Sequence, residues 1–145
     1  MTQPRLFNGQ DINIAAAATR GVLDTLLTSA GLTFLQFVAL RAMPGERAAV
    51  AERAAGPAAP APAVRAAIDE LEAAGLANGD PVEPTARGRE LFERITAESV
   101  RIGDRLFEGI PAADQATAKR VLDLITTRAA SARAELTAQA NSHPM

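Results

Sequence analysis

The chain has 145 residues, with 15 Lys and Arg against 17 Asp and Glu, which bounds it to one domain large enough to bury a core and small enough to gain from dimerisation. Hydrophobic residues reach 48% through alanine while aromatics are only 3%, all of them Phe, a balance that favours helix over sheet. The absence of Cys excludes disulfides, thiolate zinc sites and thiol-based sensing, and no apolar run approaches the roughly 20 residues of a membrane-spanning helix.

Residues 1–10 read as a loose end in which Leu6 and Phe7 are available to dock on a partner, without the charged-then-apolar order of a signal peptide. A cytoplasmic location with no membrane partner is expected. From Asp11 to Ala30 the apolar positions Ile12, Ala15, Ala16, Val22, Leu23, Leu26, Leu27 and Ala30 predict a helix with a broad stripe, ended by Gly31. Thr33 and Gln36 have the spacing of a capping box and start a second helix that runs to Met43, before Pro44-Gly45. A third, alanine-rich helix spans about Glu46 to Ala55. The segment 57–62, Pro-Ala-Ala-Pro-Ala-Pro, then breaks helical order; it offers no hydroxyl cap, and of two readings, an adapted recognition surface or a stiff linker, the linker is favoured, with Pro62 opening the next helix.

Val64, Ala67, Ile68 and Leu71 recur at i, i+3, i+4 and i+7, one face of a fourth helix, and Gly75 supplies its left-handed stop. Asn78-Gly79-Asp80 signals a turn, Pro81 and Pro84 keep any strand pairing short, and Thr85 caps a helix from Ala86 to Phe107. That helix carries Leu91, Phe92, Ile95, Ile102 and Leu106, with Glu90 four residues before Arg94 as a surface pair. Gly109-Ile110-Pro111 stops it. The last helix starts near Pro111 and aligns Ala118, Val121, Leu122, Ile125, Ala129, Ala132 and Leu136, a stripe longer than so small a domain covers by itself. A second copy of the chain is the simplest cover, through the first and last helices of both subunits.

Leu71-Glu72-Ala73-Ala74-Gly75-Leu76, followed by Pro84-Thr85-Ala86-Arg87-Gly88-Arg89-Glu90-Leu91, resembles the MarR family of bacterial transcriptional regulators. The resemblance extends to 32–40, to Val50-Ala51-Glu52-Arg53 and to 105–110. It implies a mainly α fold of about six helices with a vestigial β-hairpin: a winged helix-turn-helix over 32–91, flanked by dimerisation helices at 11–30 and 92–136. It further implies a homodimer on double-stranded DNA, with paired recognition helices in successive major grooves, and often a small-molecule site that controls binding. The DNA-binding candidates are then Val64 and Arg65 on the recognition helix, with Arg47, Arg53, Arg87 and Arg89 around it. The resemblance places an effector near Phe37, Leu40, Arg41, Phe92 and Ile95, a mostly apolar set in which Arg41 would pair the carboxylate of an aromatic acid.

Between Glu46 and Gly88, however, Arg47, Arg53, Arg65 and Arg87 face seven acids, Glu46, Glu52, Asp69, Glu70, Glu72, Asp80 and Glu83. An acidic surface weakens the sequence-independent part of duplex binding, and the short ribbon from Ala77 to Pro84 has no basic residue for a minor groove. Two readings follow: a ligand-responsive regulator that reads DNA through Arg65, or a winged-helix relative without autonomous DNA binding that serves as a protein-interaction or ligand-binding scaffold. An enzyme is not expected, since the chain offers no Cys, no Tyr, no Gly-rich phosphate loop and one histidine, His143, read as exposed and inert. No cofactor or metal is expected for the same reason.

Overall fold

Asn8 opens the first helix two residues ahead of the expected start. In the computed structural model, which describes residues 3–142, the Asn8 side chain accepts from the backbone N–H groups of Gln10 and Asp11 at 2.9 and 3.2 Å. The Asp11 carboxylate accepts in return from the Asn8 N–H at 3.0 Å, a reciprocal box in which Asp does the work of the more usual Glu or Gln. The result is α1 (Gly9–Ser29), which buries Leu27 near its C-terminal end and leaves Ile14 60% exposed near its start. Leu6 and Phe7, ahead of it, are exposed. His143 lies outside the described residues.

The core is built from three short helices. Thr33 and Gln36 form the expected capping box, with both bonds at 3.1 Å, and start α2 (Phe34–Ala42). Next come α3 (Arg47–Ala54) and α4 (Ala61–Ala73), and the three pack through Val38, Leu40, Val50, Ala51, Ile68 and Leu71. The segment 57–62 differs from the expected stiff linker. Gly56 and Ala59 exchange both backbone hydrogen bonds at 3.0 Å, and this closed turn presses Ala59 into the core at 4% exposure. A single methyl group ahead of Pro60 is what the turn contributes to the core cluster. Pro62 sits in the first turn of α4, as expected, and Pro60 precedes the helix with no side-chain cap.

Gly75, at φ +75°, ends α4, and the chain returns through β1 (Ala77–Asn78) and β2 (Glu83–Pro84). They pair antiparallel, Ala77 opposite Pro84 and Asn78 opposite Glu83. Val82 also exchanges backbone bonds with Gly45 at 2.9 and 3.1 Å, so the corner between α2 and α3 joins the ribbon. Then α5 (Ala86–Phe107) begins, carrying Leu91, Phe92 and Ile95 against the core. Gly88 is buried where its helix meets Leu76. The expected Glu90–Arg94 pair is absent among the ion pairs of the described residues. Such an exposed pair gains only a few tenths of a kcal/mol, about thermal energy, and Arg94 instead lines a cleft against α1.

By contact density the chain divides into one unit up to Gly103 and another from Asp104 onward. The second unit comprises the end of α5, a turn with Gly109 at φ +80°, and α6 (Ala112–Ser142). Its 31 residues make a helix about 46 Å long with no buried residue, six residues beyond the expected end at Leu136. No single helix among the described residues is long and apolar enough to cross a membrane.

Candidate nucleic-acid interface and effector cleft

The predicted DNA-binding residues stand on α3, α4 and the start of α5, and the structure gives them different tasks. Arg65 lies in the second turn of α4 and is exposed, and among the described residues it has no hydrogen-bond or ion-pair partner. The helix start just before it, Ala61-Pro62-Ala63, has no side-chain cap, and with Pro62 lacking an N–H only Ala61 and Ala63 offer free donors there. Val64 is the correction in this set. It is 0% exposed, because the i, i+3, i+4, i+7 stripe that turns Ala67, Ile68 and Leu71 inward turns Val64 inward with them. It therefore packs the core and cannot touch a base.

Arg47 and Arg53 are engaged within the chain. The Arg47 guanidinium bridges Asp69 and Glu72 of α4, one carboxylate to each terminal nitrogen. Arg53 donates to the carbonyls of Ala42 and Pro44 at 2.6 and 2.9 Å, satisfying acceptors left open where α2 ends. Arg87 is exposed without a partner among the described residues, and Arg89 makes one long contact with the Pro84 carbonyl at 3.4 Å. Both stand at the start of α5. The ribbon tip contributes no basic side chain.

The predicted effector residues lie mainly inside the packing. Phe37 and Phe92 stack with ring centroids 5.3 Å apart and planes inclined by 27°, and Leu40 and Ile95 are buried beside the same core. Arg41 is exposed in the last turn of α2, with its guanidinium 6.0 Å from the Phe37 ring. Of these residues, Ile95 also borders an open volume. Leu26, Ser29 and Ala30 of α1 and Arg94, Ile95 and Glu98 of α5 enclose a cleft of about 280 Å³. Glu98 accepts from Arg101, and this hydrogen bond holds its carboxyl below the usual carboxylate range. The sequence pattern missed this cleft, although Arg94 and Glu98, four residues apart around Ile95, were a visible signal of a polar edge on an apolar face.

No protein-family model matches the chain, and no curated protein does. Solved structures do. The chain is similar to the Mycobacterium tuberculosis MarR family protein Rv2887 in complex with DNA, at 27% identity over 83% of this chain and 98% of that one, with a TM-score of 0.64. The same protein in complex with salicylic acid matches at 28% identity over 81% of this chain and 98% of that one, with a TM-score of 0.58. A MarR family transcriptional regulator from Rhodococcus sp. RHA1 matches at 22% identity over 83% of this chain and 96% of that one, with a TM-score of 0.61. The fold is that of the MarR family transcriptional regulators, as the sequence resemblance implied: among the described residues, six helices with a two-stranded ribbon in a winged helix-turn-helix.

Proposed function

We propose that the protein is a homodimeric, DNA-binding transcriptional regulator whose hold on its operator responds to a small apolar or aromatic-acid effector. The observation that carries this reading is Arg65, an exposed and unpartnered guanidinium near the uncapped start of the helix that follows the α3–α4 turn. A bidentate donor in that place suits guanine or phosphate, and the N–H groups of Ala61 and Ala63 at the helix start add a weaker attraction for phosphate. Arg87 and Arg89, at the start of α5, are the further phosphate donors. The likeness to Rv2887 in complex with DNA supports the same use of the fold.

For the effector, the likeness to Rv2887 bound to salicylic acid supports an aromatic acid. In this chain the ligand would enter the cleft between α1 and α5, with its ring toward Leu26 and Ile95 and its carboxylate toward Arg94, while Phe37, Leu40 and Phe92 belong to the core that Ile95 joins. Arg41, at the end of α2, is the alternative cation. Dimerisation through α1 and α6 is supported by the apolar residues they expose, Ile14 on α1 and Leu122 and Leu136 on α6.

One observation favours the second reading, a winged-helix scaffold without autonomous DNA binding. Of the four arginines between Glu46 and Gly88, Arg47 and Arg53 are held by the chain's own acceptors, against seven acids in the same span. Fluorescence anisotropy on the DNA upstream of the protein's own gene and on scrambled DNA, across a salt series, separates the two. Tight, salt-dependent binding to the native sequence that Arg65→Ala abolishes establishes the regulator. No binding to either duplex at low salt establishes the scaffold.

A further inference from the structure

We propose that Arg47 is a positioning residue of the reading head: by engaging Asp69 it keeps Arg65 free to contact DNA. The inference rests on the DNA-binding reading above and adds a residue that itself touches no DNA. Arg65, Asp69 and Glu72 follow one another at i, i+4 and i+7 on α4, so one helix face carries all three. An arginine four residues before an aspartate is within reach of it on a helix surface. This chain shows the pairing elsewhere, where Arg20 on α1 bonds Asp24 at 3.0 Å and Lys119 on α6 bonds Asp123 at 2.8 Å.

Arg65 and Asp69 have the same spacing and order as Arg20 and Asp24, yet they do not pair. The Asp69 carboxylate is held by one terminal nitrogen of Arg47, and the other nitrogen holds Glu72. A planar guanidinium with a fixed fork of donors can serve two carboxylates at once, which a lysine at the same position could not do with the same geometry. The clamp is set by the core beneath it. Val50 and Ala51 of α3 pack with Val64 and Ile68 of α4, all at 1% exposure or less, so Arg47 is carried to the acidic end of α4 by helix packing.

Two consequences follow for a polyanion approaching α4. Without Arg47, the face bearing Arg65, Asp69 and Glu72 has a net charge of minus one, and Arg65 has a carboxylate within reach. With Arg47 that face is neutral and Arg65 keeps its donors open, as the structure has it. Arg47 thus contributes to duplex binding through another residue, in place of the direct contact that its sequence position suggested.

The test is the salt-series anisotropy titration on the native upstream duplex with wild type, Arg47→Gln, Asp69→Asn and the double variant, each checked by circular dichroism. Arg47→Gln is expected to weaken binding by roughly three- to tenfold, and Asp69→Asn in that background to restore it to within about twofold of wild type, with the salt slope changed little. Asp69→Asn alone keeps or improves affinity, because it removes the competing carboxylate. That variant also serves if Arg47→Gln fails to fold, since a clamp needed only to hold α4 would make Asp69→Asn weaken binding. Arg47→Gln without effect, a loss that Asp69→Asn does not recover, or a salt slope shallower by about one phosphate contact would each overturn the role. If wild type binds neither duplex at any salt, the regulator reading itself fails and this role with it; a wild type that binds, with the wrong variant pattern, removes the Arg47 inference alone.

Discussion

The Thr85 hydroxyl donates to the carbonyl of Gly75 at 2.8 Å, so the residue that opens α5 also holds the stop of α4. The same oxygen accepts from the Gly88 N–H at 3.1 Å, and the Thr85 N–H donates to Leu76 at 3.0 Å. Gly88 completes the junction by having no side chain, since a Cβ there would lie 2.0 Å from the Leu76 carbonyl oxygen, a backbone atom that cannot move aside. Thr85→Ala is therefore expected to lower stability by about 1 kcal/mol through the lost cap. Gly88→Ala loses more, at least ~1–3 kcal/mol from overpacking. Gly103, in the same helix, has open space where a Cβ would lie, so Gly103→Ala should instead stabilise by ~0.5–1 kcal/mol. Urea melts of the three variants check the order, and a Gly88→Ala protein as stable as wild type would disprove the close approach.

That junction was legible in the sequence, because its signals are local: a glycine after an apolar stripe, prolines about a turn, a threonine before a helix. Thr33 with Gln36 is of the same kind. The Asn8–Asp11 box has the same spacing and escaped notice only because Asp is the less usual third-position partner. Ala59 was not legible, since nothing marks one alanine among prolines as the buried one until the Gly56 turn closes. Nor was the Arg47 clamp, which joins residues 22 and 25 positions apart and exists only once α3 and α4 have packed. Charge counting found that the segment from Glu46 to Gly88 is acidic. It could not find that two of its arginines are engaged within the chain, or that Arg65 is exempt.

The stacked pair Phe37 and Phe92 ties α5 to α2 at the point where the effector residues were expected. Phe37 is 7% exposed and belongs to the core, so Phe37→Ala is expected to cost ~3–5 kcal/mol and to lower the melting temperature sharply. Phe37→Leu, which keeps most of the apolar volume, should lose much less. If calorimetry finds the two substitutions equally mild, the ring stack is not holding α5 in place.

Glu98 and Arg101 give a pH dependence whose sign follows from their hydrogen bond. The Arg101 hydrogen bond lowers the Glu98 carboxyl in the folded protein, so the ionised form is favoured by folding. That contribution is present above the unfolded carboxylate range and fades as acid takes the solution down through the lowered folded value. The pair is at the surface, so its effect is small and sensitive to salt. Glu98→Gln should melt slightly below wild type at neutral pH and low salt, with the difference vanishing in acid. A difference that grew as the pH fell would reverse the assigned sign.

Helix α6 offers the sharpest test of assembly. Its length of about 46 Å carries Val121, Leu122 and Leu136 at 36, 43 and 66% exposure, and none of its residues is buried. Apolar area left in water forgoes ~25 cal/mol per Å², and a symmetric partner helix recovers that gain for both copies at once. Light scattering at micromolar concentration should therefore return a dimer. Leu122→Glu with Leu136→Glu places two charges in each copy of the stripe and should return a monomer with the α2–α4 core still folded, because that core buries neither residue. A wild-type monomer at the same concentration would remove α6 as the interface, and a dimer that survives both charges would move it elsewhere on the chain.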